Sequence, residues 1–125
     1  MIHLDTSVLV DALTGPRRSA PALRAVIASA ERVTFSSVVL YEWLRGPRHE
    51  AELHAQEQLF PRAQVAAFGR DEAVVAAQLY ASVRRARGRE IDLAIAACAI
   101  ANAAALWTLN PTDFGDVPGL ALHAA

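Results

Sequence analysis

Two carboxylates lie in surroundings that solvation alone does not account for. Glu42 is set within Val38-Val39-Leu40-Tyr41-Glu42-Trp43-Leu44, and Asp92 within Ile91-Asp92-Leu93-Ala94-Ile95. An acid on so apolar a helix needs a partner, because burying an unpaired charge costs several kcal/mol. Two further acids close strand-like runs. Asp5 follows Ile2-His3-Leu4, and Asp113 ends the turn Asn110-Pro111-Thr112-Asp113 after Leu106-Trp107-Thr108-Leu109. Singly, each has an ordinary use: Asp5 can cap a helix, Glu42 can face solvent, Asp92 can complement a helix dipole and Asp113 can form a turn. Gathered, the four make an oxygen-only ligand set. All twelve Lys+Arg residues are arginine, so no lysine is on hand to neutralise such a cluster, and no arginine is obviously placed to do so. A divalent cation solves the problem: Mg²⁺, or Mn²⁺ in its place, takes hard oxygen ligands and keeps several waters. His3, His49, His54 and His123 are scattered without ligand spacing, which argues against a zinc site.

A scaffold must carry these acids to one place. Strands are expected at Ile2–Leu4, Val33–Phe35, Ala63–Phe68, Leu106–Leu109 and Leu120–Leu122. Between them, helical patterning runs from Val8 to Leu13 behind the cap hydroxyls of Thr6 and Ser7, then over Ala20–Ala30. It resumes over Val38–Arg45, capped by Ser36-Ser37 and closed by Gly46-Pro47, over 48–59, over Arg70–Arg87 and from Glu90 to Ala104. Short, nearly all-apolar strands alternating with helices predict an α/β fold: a three-layer α/β/α domain with a short, mainly parallel central sheet. Ligands of such sheets bind at the carboxyl ends of the strands, where strand order reverses. Asp5 and Asp113 stand at such ends, Glu42 on the helix after the second strand, and Asp92 in the first turn of the helix that precedes the fourth.

A chain of 125 residues is expected to form one domain over 1–125, and 54% hydrophobic with 20% charged residues is a folded composition. The net charge of −1 gives no global nucleic-acid signature, so any phosphate contact must come from local arginines such as Arg84, Arg85, Arg87 and Arg89. Cys98 is the only cysteine. It cannot form an internal disulfide, and its Ala-rich setting marks it as a small buried hydrophobe in a reducing compartment. The N-terminus lacks the basic and apolar regions of a secretory signal. Leu93–Leu109 is mostly alanine, interrupted by Asn102, and falls short of the about 20 strongly apolar residues a bilayer requires. A cytoplasmic protein with no membrane contact is expected. Val8, Leu9 and Leu13 make one apolar helix face, and Leu40, Trp43 and Leu44 another, which is expected to include an interface.

Four segments carry a family resemblance. Ile2-His3-Leu4-Asp5-Thr6-Ser7-Val8-Leu9-Val10 resembles the opening strand and Asp-Thr-Ser/Asn motif of PIN domains. Ser36-Ser37-Val38-Val39-Leu40-Tyr41-Glu42-Trp43-Leu44-Arg45-Gly46 is similar to their second motif, a Glu four residues before Gly. Ile91-Asp92-Leu93-Ala94-Ile95-Ala96-Ala97 resembles the third, and Trp107-Thr108-Leu109-Asn110-Pro111-Thr112-Asp113-Phe114 the fourth. Each motif is weak alone, but four in order span nearly the whole chain. Size and motif spelling look most like VapC-type toxins of type II toxin–antitoxin pairs. The resemblance implies an Mg²⁺-dependent endoribonuclease. On that resemblance Asp5 and Asp92 would hold one ion, and Glu42 and Asp113 would complete its shell through waters or hold a second. Thr6 or Ser7, at a helix N-terminus, is then expected to hydrogen-bond a ligand water or a phosphate oxygen. Many PIN domains carry the fourth acid where Asn110 stands, others three residues later at Asp113, and Asp116 is a further candidate. Implied partners are an RNA substrate, a second copy in a homodimer, and a VapB-like antitoxin segment docked in a groove near the acids. The alternative is a PIN fold that binds RNA or protein without cutting. A response-regulator receiver needs a lysine that the chain lacks, and a HAD-type phosphatase needs an Asp where Ser7 stands.

Overall fold

Three short apolar segments build the sheet in the computed structural model, which describes residues 1–124. Residue 125, the end of the expected domain, lies outside the described residues. Strand β1 (Ile2–Leu4) lies between β2 (Val33–Thr34) and β3 (Ala105–Trp107), and both pairings are parallel. Ile2 stands opposite Val33 on one side and Ala105 on the other, and Leu4 opposite Trp107. Strand order therefore reverses at β1, so the crevice of a parallel sheet opens beyond Leu4, where Asp5 begins. The helices are α1 (Thr6–Leu13), α2 (Ala20–Ala28), α3 (Ser37–Arg45), α4 (Glu50–Leu59), α5 (Arg70–Ser82) and α6 (Glu90–Ala101). Short 3₁₀ turns cover Arg62–Gln64 and Pro111–Asp113. The result is the expected three-layer α/β/α arrangement.

Two expected strands shrink to single bridges. Within Ala63–Phe68 only Ala66 pairs, with Ser36. The opposing segment has no more strand to offer, because Ser36 already caps α3, its hydroxyl accepting from the Val39 N–H at 3.3 Å. At the other edge only Leu122 bridges Leu106. Helix ends also move. Helix α5 stops at Ser82 rather than Arg87, with Val83 extended, so that Val83 and Ala86 turn toward the core. The Ser82 hydroxyl competes for the last turn by donating to the Gln78 carbonyl at 2.7 Å. Helix α6 stops at Ala101 because the Asn102 side chain donates to the Cys98 carbonyl at 2.7 Å. Gly46 is not the left-handed cap expected of a terminal glycine: its φ is −76°. Arg48 crowds it instead, donating from Nε to the Trp43 carbonyl at 3.0 Å. Thr6 and Ser7 are not caps either. Asp5 holds that position, and its carboxylate makes no capping bond.

The core corrects the expected apolar faces. Val8, Leu9 and Trp43 are fully buried and Leu13 nearly so, leaving Tyr41 and Leu44 as the exposed apolar residues of α3. Trp43 is packing, not interface. Helix α6 is apolar all round, and Leu93, Ile95, Ala96, Ala97, Cys98 and Ala99 are all buried, as befits a helix enclosed by its neighbours. Burial pushes the Cys98 thiol up to about 11, so it serves as the inert small hydrophobe expected. Among the described residues no helix is long and apolar enough to cross a membrane.

His3 is buried in β1 with neither ring nitrogen hydrogen-bonded. Burial, aided by the nearby N-terminal charge, lowers its pKa from 6.5 to about 4. Below pH 6.5 the unfolded chain takes up a proton that the native chain refuses, so stability falls as pH drops through this window. The loss amounts to about 3 kcal/mol at most. Urea unfolding of wild type and His3→Leu at pH 7 and 4.5 checks it. The variant is expected to lose markedly less stability between the two, and equal losses would refute the assignment.

Candidate active site

Asp5 leaves the carboxyl end of β1 with only 6% of its surface exposed. Ser7 Oγ and Thr108 Oγ1 both donate to its Oδ2 at 2.8 Å. Each hydroxyl is itself aimed by a backbone donor: Leu109 N–H reaches Ser7 Oγ at 3.1 Å, and Asn110 N–H reaches Thr108 Oγ1 at 3.0 Å. Hydroxyl bonds to an ionised carboxylate are among the stronger ones. This network ties the end of β1 to the end of β3 and fixes the carboxylate plane, while among the described residues no side chain donates to Oδ1.

Glu42 reaches the same edge from α3. Thr6 Oγ1, in the first turn of α1, donates to Glu42 Oε1 at 2.6 Å. Arg45 stands 3.4 Å from the other oxygen, so one arginine does approach the acids, contrary to the expectation from sequence. Asp92 occupies the first turn of α6. Its carboxyl pKa is raised, first by burial and then by the negative charges of Asp5, Asp113 and Glu42 in that order, while Arg89 works against the rise. That coupling puts all four acids in one electrostatic neighbourhood. Asp113 is exposed at the end of its 3₁₀ turn and lines a shallow opening of about 330 Å³ with Asp92, Thr112, Arg89 and Asp116.

The candidates for the fourth position separate here. Asp116 is engaged by Arg89 through two bonds, at 2.7 and 2.9 Å, which hold its carboxyl below the usual range. Asn110 contributes its backbone N–H to Thr108. Asp113 keeps an uncommitted carboxylate, while its backbone carbonyl accepts from Arg89 at 3.0 Å. Arg84, Arg85 and Arg87 are exposed, on the loop after α5 rather than on a helix end. Among the described residues no three His, Cys, Asp or Glu side chains already enclose a point as a metal cage does. Asp5 and Glu42 are turned to hydroxyls and Asp113 to solvent. An oxygen-only, partly open donor set of this kind fits Mg²⁺, which retains waters and needs few direct carboxylates.

Thr108 and Arg45 are site residues that the sequence does not single out, whereas Arg89, a candidate phosphate contact from sequence, is instead paired with Asp116. The signal for Thr108 was a hydroxyl directly after the apolar run of β3, the place Asp5 occupies after β1.

The PIN domain family profile matches residues 2–120, and the chain belongs to that family. It is 34% identical over 119 residues to Ribonuclease VapC19 of Mycobacterium tuberculosis, covering 94% of each chain. Two solved structures share the fold: VapBC2 from Rickettsia felis bound to a promoter DNA fragment, and DNA-bound VapBC from Salmonella typhimurium. The first has a TM-score of 0.75 at 24% identity and covers 98% of both chains. The second has 0.77 at 22%, over 98% of this chain and 96% of the other. FitAcB from Neisseria gonorrhoeae is similar at 0.74 and 21%, over 98% and 97%.

Proposed function

We propose that this chain is an Mg²⁺-dependent endoribonuclease, the toxin of a toxin–antitoxin pair. The observation that carries the reading is the gathering of Asp5, Glu42, Asp92 and Asp113 at one strand edge, where burial first and then the charges of the other three raise the Asp92 carboxyl pKa. Kinship with Ribonuclease VapC19 supplies the substrate class, and the VapBC structures supply the kind of partner. When bound, the cation lowers the pKa of a coordinated water and offsets charge building on the phosphate. Asp5 and Asp92 would hold it, with Glu42 and Asp113 completing the shell. Ser7 and Thr108 keep Asp5 at one orientation, and Thr6 keeps Glu42 from swinging to solvent, so the acids are placed before the substrate arrives. A homodimer and a VapB-like segment belong to the same reading. Exposed Tyr41, Leu44, Ile27 and Leu59 leave apolar surface for them.

Purified protein is expected to cut single-stranded RNA internally with Mg²⁺ or Mn²⁺ and to stop on chelation. Asp5→Asn is expected to reduce the rate about 10²–10³-fold without unfolding the chain. Cleavage that survives both chelation and Asp5→Asn would sink the proposal, and RNA binding without any cleavage would favour the binding-module alternative. The fourth ligand is ranked by the same assay. Asp113→Asn is expected to reduce cleavage by orders of magnitude, whereas Asn110→Ala and Asp116→Asn reduce it less, since Asp116 is already spent on Arg89. If Asp116→Asn proves the most damaging of the three, the assignment of Asp113 is wrong.

A further inference from the structure

Four carboxylates repel the phosphates of the substrate proposed above, so cations must stand beside them, and most arginines in reach are engaged. Arg89 is held by Asp116, Arg45 leans on Glu42, and Arg48 is bonded to the Trp43 carbonyl. Arg18 is different. It is exposed, makes no ion pair among the described residues, and lines an opening of about 400 Å³ together with Thr6, Ser7, Val10 and Leu109. Thr6 and Ser7 are the residues whose hydroxyls hold Glu42 and Asp5, so this opening borders the residues that position two of the acids. The one acid on its wall, Asp11, is occupied by the Ser19 hydroxyl at 2.6 Å. Leu109, 46% exposed, carries an apolar side chain at the very step where its N–H holds Ser7.

An apolar wall and a free guanidinium in one cleft match the two halves of a nucleotide. An unstacked base offers a flat apolar face, and its phosphate accepts paired N–H bonds from arginine. We propose that this opening receives one nucleotide of single-stranded RNA beside the scissile phosphodiester, with Leu109 and Val10 against the base and Arg18 on its phosphate. The inference rests on the ribonuclease reading and adds to it where the strand lies: across α1 and the loop to α2, in an opening that Arg89 does not line.

Wild type, Arg18→Ala, Leu109→Ala and Arg32→Ala are compared in two assays on one labelled single-stranded RNA pool. Steady-state cleavage is measured with Mg²⁺, and anisotropy titrations in EDTA are run across about 50–200 mM salt. Arg32 lines a separate opening with Met1 and Thr34, at the amino end of the strands, and controls for the loss of one positive charge. Arg18→Ala is expected to raise KM about tenfold with little change in kcat, the loss of one charged hydrogen-bonding contact. It should also make the salt dependence of binding shallower by about 0.7, the share of one phosphate on a single strand. Leu109→Ala is expected to raise KM without altering that slope, and Arg32→Ala to change neither. An Arg18→Ala protein with wild-type KM and slope, as a cleft serving a protein partner would give, overturns the inference. So does an equal loss in Arg32→Ala. Should wild type cut no RNA at all, the ribonuclease reading fails, while the EDTA titrations still decide whether Arg18 holds RNA.

Discussion

Asp92→Asn is expected to abolish RNA cleavage while raising the melting temperature of the metal-free protein. The two effects have one cause. Burial and the charges of Asp5, Asp113 and Glu42 raise the carboxyl pKa of Asp92, so its ionised form is disfavoured in the folded chain. A folded pKa above the unfolded one means that native protein binds the proton more tightly. Stability then rises as pH falls from the raised value toward the ordinary carboxyl range of the unfolded chain, and the destabilisation is fully present above the raised value. Asparagine keeps the shape and removes the charge, so the metal-free variant should melt higher, by a few degrees given about 4 °C per kcal/mol for a domain of this size. Metal reverses the ranking. A cation at 100 times its Kd adds about 2.7 kcal/mol to wild type by mass action, roughly 10 °C on the same scale. Asp92→Asn should gain much less. Calorimetry with EDTA and with Mn²⁺ reads both halves. A variant that melts lower than wild type in EDTA, or gains as much from Mn²⁺, would contradict the view of Asp92 as a strained acid awaiting a cation.

Much of this site could be read before any fold was known, and for a physical reason. Glu42 and Asp92 each interrupt a run of core residues, and an acid there needs an explanation that a surface acid does not. Asp5 was legible from its place, one residue after an apolar strand. Its two supporting hydroxyls were less so. Ser7 stands two positions on, where its hydroxyl reads as a cap or a contact to a ligand water or phosphate rather than as a support for Asp5, whereas Thr108 meets Asp5 across 103 positions, and nothing local announces a contact of that span. The sheet was over-read at its edges because Val65-Ala66-Ala67-Phe68 and Leu120-Ala121-Leu122 have strand-like apolar content, but pairing needs a straight partner. Beside Ala66 that partner bends into α3 after one residue. The fourth position was left among Asn110, Asp113 and Asp116 because ligand choice there depends on which acid an arginine has already taken, and Arg89 lies 27 residues from Asp116.

Trp43→Ala is expected to destabilise the chain by about 3–5 kcal/mol, the usual cost of emptying a fully buried large aromatic site. Sequence pattern put Trp43 on a docking face, since Leu40 and Leu44 share its side of α3 and Leu44 is indeed 49% exposed. The structure instead seals Trp43 completely, with the Arg48 guanidinium 4.2 Å from its ring centroid. Removing the ring therefore opens a cavity and also strips Arg48 of its stacking surface. A second substitution isolates the packing contribution. The indole N–H of Trp43 is buried with no hydrogen-bond partner, so Trp43→Phe gives up some volume but relieves an unmet donor, and is expected to cost clearly less than alanine. Urea unfolding of the three proteins checks the order. Function should follow seating rather than stability alone, because Glu42, which accepts from Thr6, is the chain neighbour on α3 of the buried Trp43. The folded fraction of Trp43→Phe should therefore cleave nearly as wild type does, whereas that of Trp43→Ala should lose rate as well as population. Equal stability of Trp43→Ala and wild type would return Trp43 to the surface, and α3 would need another anchor.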